Sequence, residues 1–108
     1  MYTIGEFAHL SQVSSRMLRH YDKLGLLRPA LTDGRNGYRY YDATQLSTLR
    51  QIETLKEYGF SLADIRGLLQ LPQAQLAERI HGKRLEAYGR LHALRQTLSR
   101  MEQDIQRM

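Results

Sequence analysis

Residues 3–25 read TIGEFAHLSQVSSRMLRHYDKLG, and this stretch carries the signals of two short helices joined by a turn. Thr3 and Glu6 have the spacing of a capping box, and an apolar stripe follows them, which predicts a first helix over residues 4–9. Three turn-forming residues come next, and Ser14 is a candidate N-cap for the second helix. Two short helices connected in this way indicate a helix-turn-helix.

The second helix carries most of its positive charge on one side. At about 100° per residue, its basic residues cluster there, whereas Leu18 and Tyr21 point largely elsewhere. A basic face suits the major groove of DNA, because a guanidinium forks onto guanine or phosphate and a helix N-terminus favours phosphate. The alternative is the solvated face of an ordinary short helix, and charge alone does not decide between the two. The clustered residues are Arg16, Arg19, His20 and Lys23.

The stretch Asn36-Gly37-Tyr38-Arg39-Tyr40-Tyr41 predicts the tip and second strand of a β-hairpin. Asn-Gly adopts φ > 0 at low cost and the aromatic residues favour a strand, so we expect a two-stranded wing across residues 27–41. An arginine between tyrosines suits contacts with phosphate and with the minor groove. Because strand side chains alternate between faces, at least one tyrosine belongs to the core, and we expect it to be Tyr41.

Two further helices are predicted before residue 72. Each has apolar residues at helical spacing and opens with a capping-box pair. The helices begin at Asp42 with Gln45 and at Ser61 with Asp64, and they end at Gly59 and before Pro72.

Residues 73–108 contain no Pro and repeat apolar residues on a 4-3 ladder, interrupted only at Arg84, which is the pattern of a coiled-coil seam. A helix over residues 74–108 would be about 52 Å long. That is too long to bury its apolar stripe on a domain of residues 1–72, so a second copy of the chain is the simplest cover. The predicted dimerisation residues are Ile80, Ala87, Leu91, Leu94, Leu98, Met101 and Ile105.

Charge and composition point to an anionic partner. Lys and Arg number 16 against 11 Asp and Glu, which gives a net charge of +5 over 108 residues. Residues 14–41 hold six Lys or Arg and two Asp, so +4 is concentrated there, and phosphate neutralisation supplies most of the non-specific affinity for DNA. No apolar run approaches the roughly 18 residues that span a bilayer. We expect a cytoplasmic protein with no membrane partner.

Catalytic and metal-binding classes lack support in the sequence. The chain contains no Cys, no Gly-rich phosphate loop, no nucleophile elbow and no HExxH motif. His81 and His92 would lie about 16 Å apart along one helix, too far to share a metal. We predict no enzyme activity, no cofactor and no metal site.

Five stretches, in order along residues 2–70, closely resemble the DNA-binding domain of MerR-family bacterial transcription regulators. The apolar seam lies where that family places its dimerisation helix, so the resemblance extends over the whole chain. The five stretches are Tyr2–Ala8, Val13-Ser14, Leu18–Pro29, Asn36–Tyr41 and Leu55–Leu62.

The resemblance implies a mostly α-helical fold: a winged helix-turn-helix domain at residues 1–72, then a dimerisation helix at residues 73–108 paired in an antiparallel coiled coil. It also implies a homodimer that binds pseudo-palindromic promoter DNA. Such regulators bend and untwist an overlong spacer between the −35 and −10 elements, so that RNA polymerase engages both.

The DNA-contacting residues follow from the basic face together with the resemblance. The family often has two tyrosines after Leu-Arg, and here the first is replaced by His20. Lys56 would lie near a second wing, the turn at Gly59-Phe60. The predicted contacts are Ser15, Arg16, Arg19, His20, Tyr21 and Lys23 in the recognition helix, Tyr38, Arg39 and Tyr40 in the first wing, and Lys56.

Two other readings stay open at this point: an interaction module whose coiled coil is the functional surface, and an architectural DNA-binding protein without promoter activity. The wing motif disfavours the first. Family members normally carry a sensor after the coiled coil, and here the seam reaches Met108 without a polar cap. We expect a piece cut from a longer regulator with a C-terminal effector domain, the alternative being a natural short member. The sequence does not indicate an effector ligand.

Overall fold

The computed structural model describes all 108 residues, which form two compact units, Met1–Gln70 and Leu71–Met108. The first unit contains four helices and a three-stranded antiparallel sheet, and the second is dominated by one long helix. The mostly helical winged helix-turn-helix fold with a long C-terminal helix is therefore confirmed. In chain order the elements are β1 (Tyr2–Thr3), α1 (Ile4–Ser11), α2 (Ser15–Lys23), β2 (Leu31–Thr32), β3 (Arg39–Tyr41), α3 (Thr44–Glu57), α4 (Leu62–Leu68) and α5 (Gln73–Arg107).

Reciprocal side-chain hydrogen bonds lie at the starts of α1 and α3. The Glu6 amide donates to the Thr3 hydroxyl at 3.2 Å while the Thr3 amide donates to the Glu6 carboxylate at 2.9 Å, which completes the predicted capping box. Asp42 and Gln45 exchange the same two hydrogen bonds, each at 3.1 Å, ahead of α3. α1 begins where the spacing predicts and runs two residues beyond the predicted end at residue 9, whereas α3 begins at Thr44, two residues after Asp42.

The turn between α1 and α2 is held by local hydrogen bonds. Gln12 takes a left-handed conformation with φ +61°, and its side-chain amide donates to the His9 carbonyl at 2.7 Å. The Ser14 hydroxyl then accepts from the Met17 amide at 3.1 Å and caps α2. The helix ends at Lys23, and Gly25, two residues further on, has a φ of +71°, which suits a residue without Cβ.

The wing belongs to a larger sheet than the sequence indicates. β3 lies between its predicted partner β2 and a third strand, β1, in the order β1-β3-β2. Tyr2 pairs with Tyr41 on one side of β3, and Leu31 pairs with Tyr40 on the other. The predicted hairpin is confirmed as β2 and β3 at residues 31–41, but it starts later than residue 27 and a third strand joins it. A two-residue strand leaves no periodic pattern to detect, and Leu27 lies in the core instead of the wing.

The hairpin loop of the wing closes between Asp33 and Tyr38. The Asp33 amide donates to the Tyr38 carbonyl, and the Gly37 amide donates to the Asp33 carbonyl, both at 2.8 Å. Gly37 has a φ of +73°, as predicted, whereas Asn36 does not take a positive φ. The Asn36 side chain instead accepts from the Tyr38 amide at 2.9 Å, so this residue shapes the turn with its carbonyl oxygen.

All the buried side chains lie in the first unit. Phe7 of α1 stacks on Tyr41 of β3 with ring centroids 4.7 Å apart and planes 9° from parallel. The expectation that Tyr41 belongs to the core is confirmed. The buried apolar residues are Phe7, Leu18, Tyr21, Leu26, Leu27, Tyr41, Leu49, Ile52, Leu55, Ile65 and Leu68.

The second unit is dominated by the 35-residue helix α5, about 52 Å long at 1.5 Å per residue. None of its side chains is buried in the single chain, and Leu94 at the centre of the predicted seam is 57% exposed. No helix, α5 included, combines the length and apolar character needed to cross a membrane.

Candidate nucleic-acid interface

Helix α2 separates its apolar and basic side chains sharply. Leu18 and Tyr21 are completely buried against the rest of the first unit, and this fixes the helix by one face. The opposite face does not pack against the rest of the first unit. The first turn of the helix, which follows the Ser14 cap, lies at the surface, with Ser15 half-buried. The exposed basic residues on this free face are Arg16, Arg19, His20 and Lys23.

Charge pairing leaves this basic face uncompensated. Of the two acidic residues within positions 14–41, Asp22 pairs with Arg39 at 2.9 Å and Asp33 lies 3.6 Å from Arg35. Both acids are therefore engaged by cations of the wing. The residues without an acidic partner are Arg16, Arg19, Lys23 and Arg28, of which the first three belong to α2.

The wing presents its side chains at graded depths. Tyr38 at the tip is 64% exposed, Arg39 and Tyr40 are half-buried, and Tyr41 is buried. Burial raises the pKa of the Tyr41 hydroxyl, with a contribution from the nearby Asp22 carboxylate. Tyr38, Arg39 and Tyr40 remain accessible to a partner from one side of the hairpin.

The wing and α2 meet along one groove. A cavity of about 260 Å³ lies between them, with Arg19 of α2 on one wall. The structure thus brings together predicted contacts that are about 20 positions apart in sequence. The groove is lined by Thr3, Ile4, Arg19, Gly37, Tyr38, Arg39 and Tyr40.

Tyr21 does not belong to the exposed face, which corrects its assignment as a DNA contact. Its hydroxyl donates to Glu53 Oε1 at 2.6 Å and accepts from Lys56 Nζ at 2.8 Å. Burial, followed by the hydrogen bond to Glu53, raises the pKa of Tyr21. Both hydrogen-bonding capacities of the phenol are used inside the protein, so it joins α2 to α3 and has no free group to offer DNA.

Lys56 takes part in the same cluster. Its ammonium lies 3.5 Å from Glu53 Oε2 and 5.4 Å from the centre of the Tyr21 ring. The hydrogen bond with Tyr21 raises the pKa of Lys56, which therefore stays protonated. About a third of the side chain remains exposed at the C-terminal end of α3, near the turn at Gly59.

Sequence reasoning missed two acidic residues of this region, Asp22 and Glu53. In the sequence, both residues count only as negative charges that lower the net positive charge. In the structure Asp22 joins α2 to the wing, and Glu53 joins α3 to α2. Their partners are 17 and 32 positions away, so no local spacing signals either contact.

Comparisons with known proteins agree with this geometry. Residues 2–71 match the family model described as MerR HTH family regulatory protein. The HTH-type transcriptional regulator SkgA of Caulobacter vibrioides is 40% identical over 111 residues, an alignment that covers 96% of this chain and 43% of SkgA. The chain therefore spans less than half the length of this curated relative.

Two solved structures are similar over nearly the whole chain. The N-terminus of MtaN, the Bacillus subtilis multidrug transporter activator, superposes with a TM-score of 0.76 at 32% identity, covering 94% of this chain and 97% of that one. EcmrR, from the EcmrR–DNA complex in EcmrR-RPo, gives a TM-score of 0.78 at 34% identity, covering 96% of this chain and 38% of EcmrR.

Proposed function

The chain belongs to the MerR family of HTH regulatory proteins, and from this premise we propose that it binds double-stranded promoter DNA as a homodimer and controls transcription. One observation carries the proposal. Helix α2 is anchored by the buried Leu18 and Tyr21 and presents its unpaired basic side chains, opposite that anchor, beside an aromatic wing. A merely solvated helix face gives no reason for an arginine and tyrosines of a wing to lie beside it, whereas on a duplex the helix can contact base edges while the wing contacts the backbone.

The dimensions of α2 suit insertion into the major groove. An α-helix with its side chains is about 10–12 Å across, which fits the roughly 12 Å width of the groove, and the nine residues of α2 give it a length of about 13 Å. Arg16, Arg19 and His20 would face base edges or phosphates, with Ser15 at the N-terminal end and Lys23 at the other. The imidazole of His20 offers one donor and one acceptor where a family tyrosine would offer a hydroxyl.

The wing supplies contacts to the DNA backbone. Tyr38 is the most accessible of its aromatic residues, and its phenol can donate to a phosphate oxygen. Arg39 and Tyr40 lie behind it along the same groove, close to Arg19. Lys56 adds a protonated, partly exposed ammonium near the turn at Gly59.

Dimerisation through α5 would place two such units on one duplex. The seam residues Leu91, Leu94, Leu98, Met101 and Ile105 are each at least 40% exposed in the single chain, and a second copy would bury them. In an antiparallel coiled coil the two DNA-binding units lie at opposite ends, which matches a pseudo-palindromic site. Bending and untwisting of the spacer between the −35 and −10 elements would then allow RNA polymerase in the cytoplasm to engage both promoter elements.

A salt series with matched variants tests the proposal. The wild type should bind duplexes selected from a randomised pool, and its affinity, measured by fluorescence anisotropy, should fall steeply as the salt concentration rises. Arg19→Ala should reduce affinity about tenfold, or flatten the salt slope by about 0.9 if the lost contact is to phosphate. Arg100→Ala removes the same charge from an exposed position of α5 outside the seam and should change little.

Two results would contradict the proposal. If the wild type binds no duplex, the chain acts as an interaction module and its basic face is solvated. If Arg100→Ala weakens binding as much as Arg19→Ala, then attraction is diffuse and α2 is not the recognition helix. Transcription in vitro from a promoter containing the selected site separates a regulator from an architectural protein, because only a regulator changes the yield of transcript.

A further inference from the structure

One ion pair joins α2 to the wing. Arg39 Nε in β3 donates to Asp22 Oδ2 in the last turn of α2 at 2.9 Å. The side chains are 35% and 23% exposed, so the pair is partly shielded from water. It is the only ion pair between these two elements.

The tip of the wing has no other polar support from the helices. The hydrogen bonds of residues 33–38 stay within the loop and connect Asp33, Asn36 and Gly37 to their neighbours. The opposite end of β3 is anchored through Tyr41, which stacks on Phe7. Arg39 lies between the tip and the residues that pair with β1, Tyr40 and Tyr41, so the Asp22 contact is the one ion pair that ties this part of the hairpin to α2.

The pairing also directs the remaining hydrogen-bond donors of Arg39. A guanidinium is a planar fork with five N–H donors, and the bond to Asp22 uses the one on Nε. The same side chain lines the groove that holds Arg19 and Tyr38. Asp22 therefore holds Arg39 in one orientation while the terminal nitrogens stay available at the groove.

An acidic side chain next to a DNA-binding face weakens attraction to phosphate, so its presence calls for a compensating role. We propose that Asp22 is a positioning residue that determines specificity: it locks the wing to α2 and restrains the sequence-blind attraction of Arg39. Phosphate contacts set the register of a protein on DNA, and base contacts discriminate only when that register is fixed. This inference rests on the proposed DNA binding.

The test compares Asp22→Asn with Glu57→Gln. Both variants remove one negative charge, but Glu57 is an exposed residue at the end of α3 with no ion-pair partner. Each protein is titrated with the tightest duplex selected from a randomised pool and with a shuffled duplex of equal length and composition. The measured quantity is the ratio of the two affinities at matched salt, together with the salt slope on the shuffled duplex.

Asp22→Asn should bind the shuffled duplex more tightly. One additional phosphate contact steepens the slope by about 0.9, which is a further threefold loss between 50 and 200 mM salt. The specificity ratio should fall about tenfold, comparable to the loss of one base contact. Glu57→Gln should leave the ratio unchanged. A purely structural role for Asp22 would lower both affinities together and leave the ratio alone.

The wild-type protein provides a second measurement that does not depend on a variant folding. The Arg39 Nε–H should exchange slowly with solvent in nitrogen-15 NMR spectra, both free and bound to the selected duplex. Rapid exchange in the bound state would show that the pair opens on DNA, and would overturn the inference. An unchanged specificity ratio for a folded Asp22→Asn protein would overturn it as well. If the wild type binds no duplex at all, DNA binding itself fails, and that outcome is distinct from the other two.

Discussion

Replacing Tyr21 with Phe isolates the hydroxyl that joins α2 to α3. The substitution keeps the buried ring and removes one donor, to Glu53 at 2.6 Å, and one acceptor, for Lys56 at 2.8 Å. We expect the free energy of unfolding to fall by about 1–2 kcal/mol, while the affinity for DNA at a temperature well below melting stays unchanged.

The magnitude follows from the surroundings of the cluster. A hydrogen bond to a charged group contributes roughly 1.5–3 kcal/mol, so two would be worth about 3–6 kcal/mol in a dry site. The Lys56 and Glu53 side chains are 32% and 36% exposed and lie 3.5 Å apart, so water and their own ion pair replace much of the loss. The expected loss of about 1–2 kcal/mol in unfolding free energy corresponds to a decrease in Tm of roughly 5–15 °C.

Urea unfolding followed by far-ultraviolet circular dichroism measures the stability, at one protein concentration for all variants. Tyr58→Phe is the matched control, because the Tyr58 side chain is exposed and its hydroxyl makes no hydrogen bond within the protein; the variant should stay within about 0.5 kcal/mol of the wild type. Anisotropy with the selected duplex measures DNA affinity in parallel.

Either of two results would refute the reasoning. Equal stability of Tyr21→Phe and wild type would mean that the cluster does not hold α2 against α3. A tenfold loss of DNA affinity, measured at a temperature at which the variant is fully folded, would mean that the Tyr21 hydroxyl reaches DNA, contrary to its burial.

Three further substitutions probe other parts of the molecule. Leu94→Arg in the seam should give monomers in sedimentation, whereas Leu85→Arg, equally exposed on the opposite side of α5, should stay dimeric; dimers from both would disprove the seam register. Hydrogen bonds from Thr3 hold the pKa of Glu6 below its ordinary value of 4.5, so its stabilisation is present above that value and is lost as the pH falls through the lowered one. As the pH falls below about 4.5, Glu6→Gln should therefore lose less stability than the wild type does. The same dependence of stability on pH in both proteins would contradict this. Phe7→Leu removes the stack on the wing and should cost roughly 1–3 kcal/mol, seen as a lower urea midpoint; an unshifted midpoint would show that the stack contributes nothing.

Local signals in the sequence were sufficient to predict the helices. Thr3 and Glu6 cap α1 as predicted, and Asp42 and Gln45 form the predicted pair of hydrogen bonds at the start of α3, because such pairs depend on residues only three positions apart. Helical periodicity alone also separates Tyr21 from the basic face of α2. The family resemblance then assigned Tyr21 to DNA, and burial shows that the periodicity was the better guide.

What the sequence by itself determined is the set of helices, the basic face of α2, the core position of Tyr41 and the apolar ladder of α5. Each depends on a repeat or a spacing within a few residues, which the chain carries regardless of how it packs. Only the tertiary structure decided that β1 joins the wing and that Asp22 binds Arg39. It also decided that Glu53 and Lys56 both hydrogen-bond to the Tyr21 hydroxyl. These contacts join residues 17 to 39 positions apart, and their partners are selected by the packing of whole elements, which no local pattern encodes.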